Sequence, residues 1–493
     1  MQGVAYWIEK RAELHPKRIA IITEKNQITY QTLSQDINKL AYYLKLELGI
    51  KAGDRIAILS QNRYEYIVLL FAIAKIECIA VPLNIRLTVN ELIYQLNDSG
   101  TEVLFAEDIY QQTAISLQRE TSLKEIISID TIRHLEARNE KVSVETNESA
   151  TYLICYTSGT TGKPKGAVLT QSNMFWNAIN NSLAIDITSN DRSLVLLPLF
   201  HIGGIGLFAF PTLYAGGTII LPEGKFDSER VLLMIEQHQV TIIMGVPTIH
   251  QAILHSPSFD KTNLKSVRWF YNGGAPCPHE LIQAFFDKGL LFGQGFGMTE
   301  TSPTLFMLLK EDAERKKGSI GKPAMFCEYK LIDSEGFIVK EGDVGELIVR
   351  GPNVMKEYWN KPEATAEALR DGWLYTGDLA RVDEEGFLYI VGRKKEMIIS
   401  GGENIYPLEV EQVIGQLADV EEVAVAGVVD QKWGEVPMAF VVKTKGSLLT
   451  EEEIIEYCNH FLARYKIPKK VEFIDQLPRN ATGKIQKNRL VNL

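Results

Sequence analysis

The sequence predicts an α/β protein with a large N-terminal region, a smaller antiparallel or barrel-like unit, and a separate α+β domain at the C-terminal end. Through about the first 350 residues, short aliphatic runs alternate with amphipathic stretches, as stacked β–α units do. Around 328–350 the pattern changes to alternating strands separated by acidic, glycine-containing turns. The length of 493 residues also exceeds what one hydrophobic core usually fills.

Individual β–α units can be placed by their apolar patterns. Strands flanked by helices imply mostly parallel sheets that are covered on both faces. We predict helices at Tyr64–Lys75 and Ile249–Leu254. The predicted strands of these units are 55–59, 78–81, 152–156, 241–244 and 267–272.

One stretch is long enough to be tested as a membrane span. The 30 residues from Ser193 to Pro222 contain no Asp, Glu, Lys or Arg, and such a length crosses the hydrocarbon core of a bilayer. Pro198, Pro211 and five glycines interrupt it, so a buried strand–helix–strand fits better. We expect strands at 194–197 and 218–221 and a short helix at 206–214.

Composition excludes several classes of protein. Apolar residues make up 45% of the chain, too many for a disordered protein. The 52 Lys and Arg against 62 Asp and Glu give a net charge of −10, which argues against binding nucleic acid over the whole surface. The start of the chain has no signal-peptide pattern, and the scattered cysteines indicate neither disulfides nor zinc, so we expect a cytoplasmic protein. The cysteines are Cys78, Cys155, Cys277, Cys327 and Cys458.

The sharpest local signal is the segment 156–166, which reads YTSGTTGKPKG directly after a predicted strand. Its glycines let backbone N–H groups approach an anion, and its hydroxyl and ammonium groups supply further donors. It is not a Walker P-loop, because Gly159 and Gly162 are only three residues apart and Lys163 precedes Pro164. The segment therefore predicts a different kind of phosphate-binding loop.

This loop and the motifs after it resemble the AMP-forming, adenylate-forming enzyme family, which includes acyl-CoA synthetases, aryl-CoA ligases, luciferases and peptide-synthetase adenylation domains. In order, the motifs are PLFH at 198–201, NGGAP at 272–276, GFGMTE at 295–300, GWLYTGD at 372–378, GRKKE at 392–396, SGGENIYP at 400–407 and NATGK at 480–484. The resemblance covers nearly the whole chain. It implies an N-terminal AMP-binding domain at 1–392, a hinge at 393–396 and a small mobile cap domain at 397–493.

The resemblance implies two half-reactions. A carboxylate and ATP form an acyl-AMP and pyrophosphate, and the thiol of CoA then attacks the acyl-AMP. The first step brings two anions together, so positive charge must offset their repulsion. By resemblance, Lys484, His201 and Glu300 are catalytic, and Glu300 holds Mg²⁺ together with the Thr160 hydroxyl, since Mg²⁺ favours one or two protein oxygens plus phosphates and water.

The resemblance also assigns the nucleotide site. Asp378 would accept both ribose hydroxyls, and Arg393 would contact ribose and phosphate. Phe296 lies where similar enzymes carry Tyr, so its ring can stack on adenine while one polar contact is lost. The full expected ATP/AMP-binding set is Thr157, Ser158, Gly159, Thr160, Thr161, Gly162, Lys163, Lys165, Gly274, Ala275, Pro276, Gln294, Gly295, Phe296, Gly297, Met298, Thr299, Asp378, Arg393 and Lys484.

The acid substrate is the least determined part of the prediction. The expected acyl pocket has no lysine or arginine that could pair a second carboxylate, so we predict an ATP-dependent fatty-acid–CoA ligase of lipid metabolism, for medium or long chains. The alternative is a ligase for 2-succinylbenzoate or another aromatic acid. His201 replaces the aspartate of peptide-synthetase domains, which argues against amino-acid substrates. The pocket residues are His201, Gly245, Val246, Tyr271 and Gly273.

The remaining expectations concern CoA, domain motion and partners. By resemblance, Gly401 and Gly402 lie along the pantetheine of CoA, and Lys395 is the residue about which the cap domain rotates. The partners would be a small carboxylic acid, ATP and CoA, without nucleic acid or a transmembrane segment. An acyl-AMP ligase that serves a carrier protein and a non-catalytic nucleotide-binding protein are competing hypotheses. The sequence leaves peripheral membrane contact and a homodimer open.

Overall fold

The computed structural model describes residues 3–136, 142, 147–157, 163–480 and 483–491. Five residues of the phosphate loop, 158–162, lie outside this part, and so does the Thr160 hydroxyl expected to bind Mg²⁺. Residues 481–482 of the last motif are also outside it.

The helices of the described residues follow chain order. They are α1 Ala5–Leu14, α2 Tyr30–Tyr42, α3 Tyr64–Lys75, α4 Val89–Ser99, α5 Gln111–Glu120, α6 Gln171–Ala184, α7 Phe210–Ala215, α8 Ser228–Gln237, α9 Pro247–Leu254, α10 His279–Asp287, α11 Pro362–Ala368, α12 Pro407–Ile414, α13 Glu451–Phe461 and α14 Lys487–Leu490.

The strands are numbered in the same way. The first half comprises β1 Ile19–Ile22, β2 Gln27–Thr29, β3 Arg55–Leu59, β4 Ile79–Pro82, β5 Val103–Ala106, β6 Glu125–Ser128, β7 Thr151–Thr157, β8 Lys165–Thr170, β9 Arg192–Val195, β10 Thr218–Ile220, β11 Ile242–Gly245, β12 Trp269–Asn272 and β13 Phe292–Gly297. The second half comprises β14 Thr304–Met307, β15 Lys322–Pro323, β16 Glu328–Ile332, β17 Gly345–Arg350, β18 Glu357–Tyr358, β19 Leu369–Arg370, β20 Trp373–Val382, β21 Leu388–Arg393, β22 Ile398–Ser400, β23 Glu403–Ile405, β24 Val420–Asp430, β25 Gly434–Lys443 and β26 Lys470–Phe473.

Two large sheets form the N-terminal region. One has the order β18-β8-β7-β4-β3-β5-β6, and the other has the order β15-β14-β13-β12-β11-β9-β10-β1-β2. Most of their strand pairs are parallel. The antiparallel pairs are β18-β8 and β8-β7 at one end of the first sheet, and β15-β14, β14-β13 and β1-β2 at the two ends of the second. Helix α3 is apolar on nearly every side and is buried from Glu65 to Ala74, which is the signature of a helix in the middle of a core.

Two smaller sheets complete the fold. The predicted antiparallel or barrel-like unit is a five-stranded antiparallel sheet of β16, β17, β20, β19 and β21. The C-terminal domain is built on β22 to β26, with α12 and α13 against its core. The fold class predicted from the sequence is therefore confirmed.

The uncharged stretch 193–222 is a buried strand–helix–strand, as predicted. Its helical part begins earlier than expected, as a π-helical segment at Gly204–Ala209 that continues into α7. Gly204 permits close packing there, because a Cβ at this position would lie 2.1 Å from the Pro198 carbonyl oxygen. Among the described residues, no helix combines the length and apolar character needed to cross a bilayer.

Candidate active site

The candidate site lies on three adjacent parallel strands, of which β11 and β12 end side by side while β13 continues to Gly297. Gly245 ends β11, Asn272 ends β12 and pairs with Gln294 of β13. The carboxyl ends of parallel strands meet at one edge of a sheet, where α/β proteins bind ligands. The exposed loop Gly274-Ala275-Pro276 follows β12 directly, so the residues predicted to line adenine are accessible at this edge.

The predicted adenine-binding residues of β13 occupy different environments. Phe296 is partly exposed and keeps a ring face available, with its ring centroid 6.3 Å from that of Phe306. Gly295, Gly297, Met298 and Thr299 are likewise partly exposed. Gln294 is buried, and its side-chain amide donates to the Ser319 carbonyl at 2.7 Å, so this side chain is used inside the protein.

Aromatic side chains pack together at the part of this edge predicted to hold the acid. Tyr271 is only 2% exposed, and its hydroxyl donates to the Gln294 carbonyl at 2.9 Å. The Tyr271 ring makes edge contacts with Trp269 at 5.5 Å and with Phe208 at 6.1 Å between centroids. A Cβ on Gly273 would lie 2.6 Å from the Met244 methyl carbon, so Met244 borders the space beside Gly273.

His201 lies between β9 and the π-helical segment Gly204–Ala209. Its side chain is accessible to water, yet protein surrounds it closely, and this burial lowers the pKa of the imidazole to about 4, with the nearby Lys484 adding to the effect. The Gly203 backbone N–H donates to Nδ1 at 3.2 Å. The ring is therefore neutral near pH 7 and carries its proton on Nε2, which points away from this contact.

Asp378 and Arg393 form an ion pair on adjacent strands, β20 and β21, in which Asp378 is buried and Arg393 is partly exposed. The Arg393 Nε lies 2.7 Å from Asp378 Oδ1. Asp378 Oδ2 is buried and has no hydrogen-bond partner among the described residues. Burial raises the pKa of this carboxyl to about 6, outweighing Arg393, which lowers it. An orphaned buried carboxylate oxygen is suited to accept hydroxyl groups of a ligand.

Lys484 of the C-terminal domain reaches the same site. Its backbone N–H donates to Asn480 Oδ1 at 2.9 Å, and the Asn480 N–H donates back to the Lys484 carbonyl, which closes a tight turn. Burial lowers the pKa of its ammonium group, and Arg393 lowers it further, while Asp378 and Glu300 oppose this. The charges of Arg393, Asp378 and Glu300, which come from distant parts of the sequence, thus all act on Lys484.

Glu300 is a buried carboxylate with one donor, the Tyr358 hydroxyl, at 2.7 Å from Oε1. Burial raises the pKa of Tyr358 well above its usual range, and the adjacent Glu300 carboxylate adds to this, so the phenol stays protonated and donates. Within the described residues, no hydrogen bond reaches Glu300 Oε2. A carboxylate oxygen that no donor of the described residues occupies fits Mg²⁺, which prefers few protein ligands alongside phosphate oxygens.

The two ends of the phosphate loop are held by one cluster on α4. The Tyr156 hydroxyl donates to Asp98 Oδ2 at 2.8 Å, and Lys361 Nζ lies 2.9 Å from Asp98 Oδ1. The Tyr94 hydroxyl donates to the Pro164 carbonyl at 3.1 Å, and Lys163 Nζ lies 5.6 Å from the Tyr94 ring centroid.

The predicted loop residues on either side of 158–162 are also placed. Thr157 ends β7, and its hydroxyl donates to the Lys165 carbonyl at 3.3 Å. Lys165 Nζ lies 5.1 Å from the ring centroid of Tyr358. Ser158, Gly159, Thr160, Thr161 and Gly162 fall outside the described residues.

The predicted hinge and CoA-binding residues lie beside each other in sequence but in different environments. Lys395 is exposed in a single 3₁₀ turn, Lys394–Glu396, directly after β21. Gly401 packs against the Trp433 ring and takes φ = +60°, and Gly402 follows at φ = +92°. Such backbone conformations favour glycine. Lys487 Nζ lies 3.3 Å from Glu396, which ties the Lys484 segment to the hinge turn.

Sequence reasoning missed three residues at the site. Tyr358 contacts Glu300 from a separate strand, Asp98 braces the phosphate loop, and Asn62 holds the PLFH segment through the Leu197 carbonyl and Leu199 N–H. None stands in a local motif. The only available signal was an isolated polar residue next to an apolar run, which is too common to single out a site.

Known proteins are similar to this chain over nearly its whole length. The family model described as AMP-binding enzyme matches residues 8–359, and the model described as AMP-binding enzyme C-terminal domain matches residues 409–484. A feruloyl-CoA synthase of Amycolatopsis sp is 42% identical over 99% of this chain and 98% of its own. The long-chain-fatty-acid–CoA ligase FadD13 of Mycobacterium tuberculosis is 38% identical over 99% and 98%.

A solved structure has the same architecture. The o-succinylbenzoate CoA synthetase (MenE) of Bacillus subtilis, in complex with ATP and magnesium ion, superposes with a TM-score of 0.89 at 37% identity, covering 98% of each chain.

Proposed function

The chain belongs to the family of AMP-binding enzymes and is an AMP-forming CoA ligase, and we propose that its acid substrate is an aromatic monocarboxylic acid. The observation that carries this proposal is the aromatic cluster of Tyr271, Trp269 and Phe208, which pack together beside the predicted acyl pocket. Aromatic rings favour edge and offset contacts with one another. A planar aromatic acid beside these rings would make such edge or offset contacts with them, which would stabilise its binding.

The same surroundings argue against two other acids. None of the residues predicted to form the pocket is charged near pH 7, so the second carboxylate of 2-succinylbenzoate would be buried without a partner, which is costly. A long alkyl chain would need Tyr271 or Met244 to leave a packed, buried position. Packed interiors resist such changes.

In the proposed first half-reaction, residues of this chain bind the nucleotide and offset the negative charges of the two reacting groups. Asp378 accepts the ribose hydroxyls through its free oxygen, and Arg393 remains paired with it. Lys484 places an ammonium group beside the carboxylate and the α-phosphate, where negative charges must approach each other. When bound, Mg²⁺ would neutralise phosphate oxygens; Glu300 would hold it, with Thr160 as the expected second ligand.

In the proposed second half-reaction, Lys484 must leave so that the thiol of CoA can approach the acyl carbonyl. We assign the rotation to the hinge at 393–396, with Lys395 at its centre, between a domain at 1–392 and one at 397–493. Gly401 and Gly402 would then lie along the pantetheine. His201 would lie at the acyl side of the site. Because its imidazole is neutral, it places no fixed charge beside the incoming thiol.

A panel of acids tests the substrate assignment. CoA-dependent formation of AMP is measured with hydroxycinnamates, arylacetates, 2-succinylbenzoate and straight-chain acids from acetate to dodecanoate. We expect kcat/KM to be highest for an aromatic acid with one carboxylate. A preference for 2-succinylbenzoate, or for dodecanoate over every aromatic acid, would refute it.

A medium-chain fatty acid is the second candidate, and one observation favours it. Met244 borders Gly273, and an unbranched thioether side chain adapts its shape more readily than a ring. Leu197 and Leu207 also pack at the rim of the aromatic cluster. With this substrate, kcat/KM would rise with chain length and then fall once the chain meets Tyr271.

We also place the protein in a reducing compartment, the cytoplasm. The support is that all five cysteines are free and buried. Burial raises the pKa of the Cys155 thiol to about 12, so it is unreactive near neutral pH.

A further inference from the structure

We propose that Tyr358 is a positioning residue that holds the Glu300 carboxylate and the Lys165 side chain in one arrangement for Mg²⁺ and the phosphates of ATP. This inference rests on the proposed role of Glu300 as a Mg²⁺ ligand. Tyr358 is 9% exposed and contacts both residues at once, Glu300 through its hydroxyl and Lys165 through its ring face.

The position of Tyr358 is set by the strand that carries it. Strand β18 pairs antiparallel with β8, with Tyr358 opposite Ala167, so Tyr358 is tied to the strand that leaves the phosphate loop. Just before it, the Met355 N–H donates to the Glu300 carbonyl at 2.7 Å. The segment from Met355 to Tyr358 therefore holds both the backbone of Glu300 and strand β8, which begins at Lys165.

The contacts give Tyr358 two separable roles. Its hydroxyl donates to Oε1 of Glu300 and leaves Oε2 without a hydrogen bond from the described residues, which orients the carboxylate as outer hydrogen-bond partners of metal ligands do. Its ring lies below Lys165 Nζ at 5.1 Å, within the range of cation–π attraction. Removing the hydroxyl alone affects the first role, while removing the ring affects both.

The test measures binding of ATP at graded Mg²⁺ concentrations by calorimetry, without any acid, so that no turnover occurs and the identity of the acid does not matter. Tyr358→Phe should raise the Mg²⁺ concentration at half-saturation by about 10- to 100-fold, and higher Mg²⁺ should restore full ATP binding. ATP binding without Mg²⁺ should stay as in the parent protein. Tyr358→Leu should weaken ATP binding in both conditions, because Lys165 also loses the ring.

Two further variants make the result decisive. Tyr30→Phe is the matched control, since Tyr30 is also buried and its hydroxyl donates to the Gly217 carbonyl at 2.7 Å, far from the site; it should leave Mg²⁺ dependence unchanged. Glu300→Gln should abolish that dependence. If it does not, the role of Glu300 as a Mg²⁺ ligand is refuted, and so is the proposed role of Tyr358. If Glu300→Gln has its effect and Tyr358→Phe behaves like the parent, the role of Tyr358 is refuted while that of Glu300 stands.

Discussion

Arg393 Nε lies 2.7 Å from Oδ1 of Asp378, while the other oxygen of that carboxylate is buried without a hydrogen-bond partner in the described part of the chain. The ion pair would by itself lower the pKa of Asp378. Burial is the larger effect, and the carboxyl titrates near 6. A group that accepts ribose hydroxyls must be ionised, so nucleoside binding is coupled to this titration.

The first prediction is that adenosine binds more weakly as the pH falls below about 6. Protonated Asp378 loses acceptor capacity, and the dissociation constant should approach a tenfold rise for each pH unit, since one proton must leave on binding. Adenosine is the probe because it has no phosphate to titrate. Asp378→Asn should bind weakly with a flat profile, and a flat profile in the parent protein would contradict the prediction.

The second prediction concerns Lys484, which should serve only acyl-AMP formation. Lys484→Ala removes one transition-state contact of about 3–4 kcal/mol, which lowers the adenylation rate by roughly 10²–10³. Thioester formation from supplied acyl-AMP should be retained. Pyrophosphate exchange measures the first step and single-turnover assays the second. Lys469→Ala, an exposed lysine of the same domain, should change neither.

The third prediction is the reverse pattern for Lys395→Pro. Lys395 lies in the first turn of a 3₁₀ segment, where proline is tolerated with φ near −65°. The substitution should therefore preserve the observed arrangement and adenylation but obstruct rotation, so thioester formation slows. Lys395→Ala is the control and should be close to the parent protein. Equal loss of both half-reactions in a folded Lys395→Pro variant would rule out the hinge assignment.

The fourth prediction tests the acyl side. Gly273→Ala adds a methyl group that would lie 2.6 Å from the Met244 methyl carbon, which narrows the space for the acid. Such a change is expected to lower kcat/KM for the acid by about tenfold or more, with adenosine affinity unchanged. Met244→Ala in the same chain should restore much of the loss, because the two side chains interact directly. If the losses simply add, Met244 does not border the acid.

The fifth prediction is that His201 stays neutral throughout the physiological range. Burial lowers its pKa to about 4 from an ordinary 6.5, so nuclear magnetic resonance of ¹⁵N-histidine should show no titration of this ring between about pH 6 and 8. His201→Asn assigns the signal. A midpoint near 6.5 would contradict the prediction, because it would mean that the surrounding protein does not lower the pKa of the imidazole.

Local patterns in the sequence predicted much of the fold. Helix α3 and strand β3 have the predicted bounds, because a continuous apolar run between polar ends is a property of neighbouring residues. The family motifs likewise singled out Asp378, Arg393, Glu300 and Lys484, whose charges act on one another in the structure. Alternation along β12 also places Trp269 and Tyr271 on one face of a strand, although alternation does not say whether that face is open or packed.

The tertiary structure decided what the residues do to one another. Whether Tyr271 lines an open channel or is packed away depends on Phe208, which comes from the separate segment Gly204–Ala209. The contact between Tyr358 and Glu300 arises from the pairing of β18 with β8. The sequence by itself determined the family, the chemistry of the site and most local elements, since these depend on residue type and short-range period. Burial, pKa and the shape of the acyl side depend on packing between segments far apart in the chain, which no local pattern records.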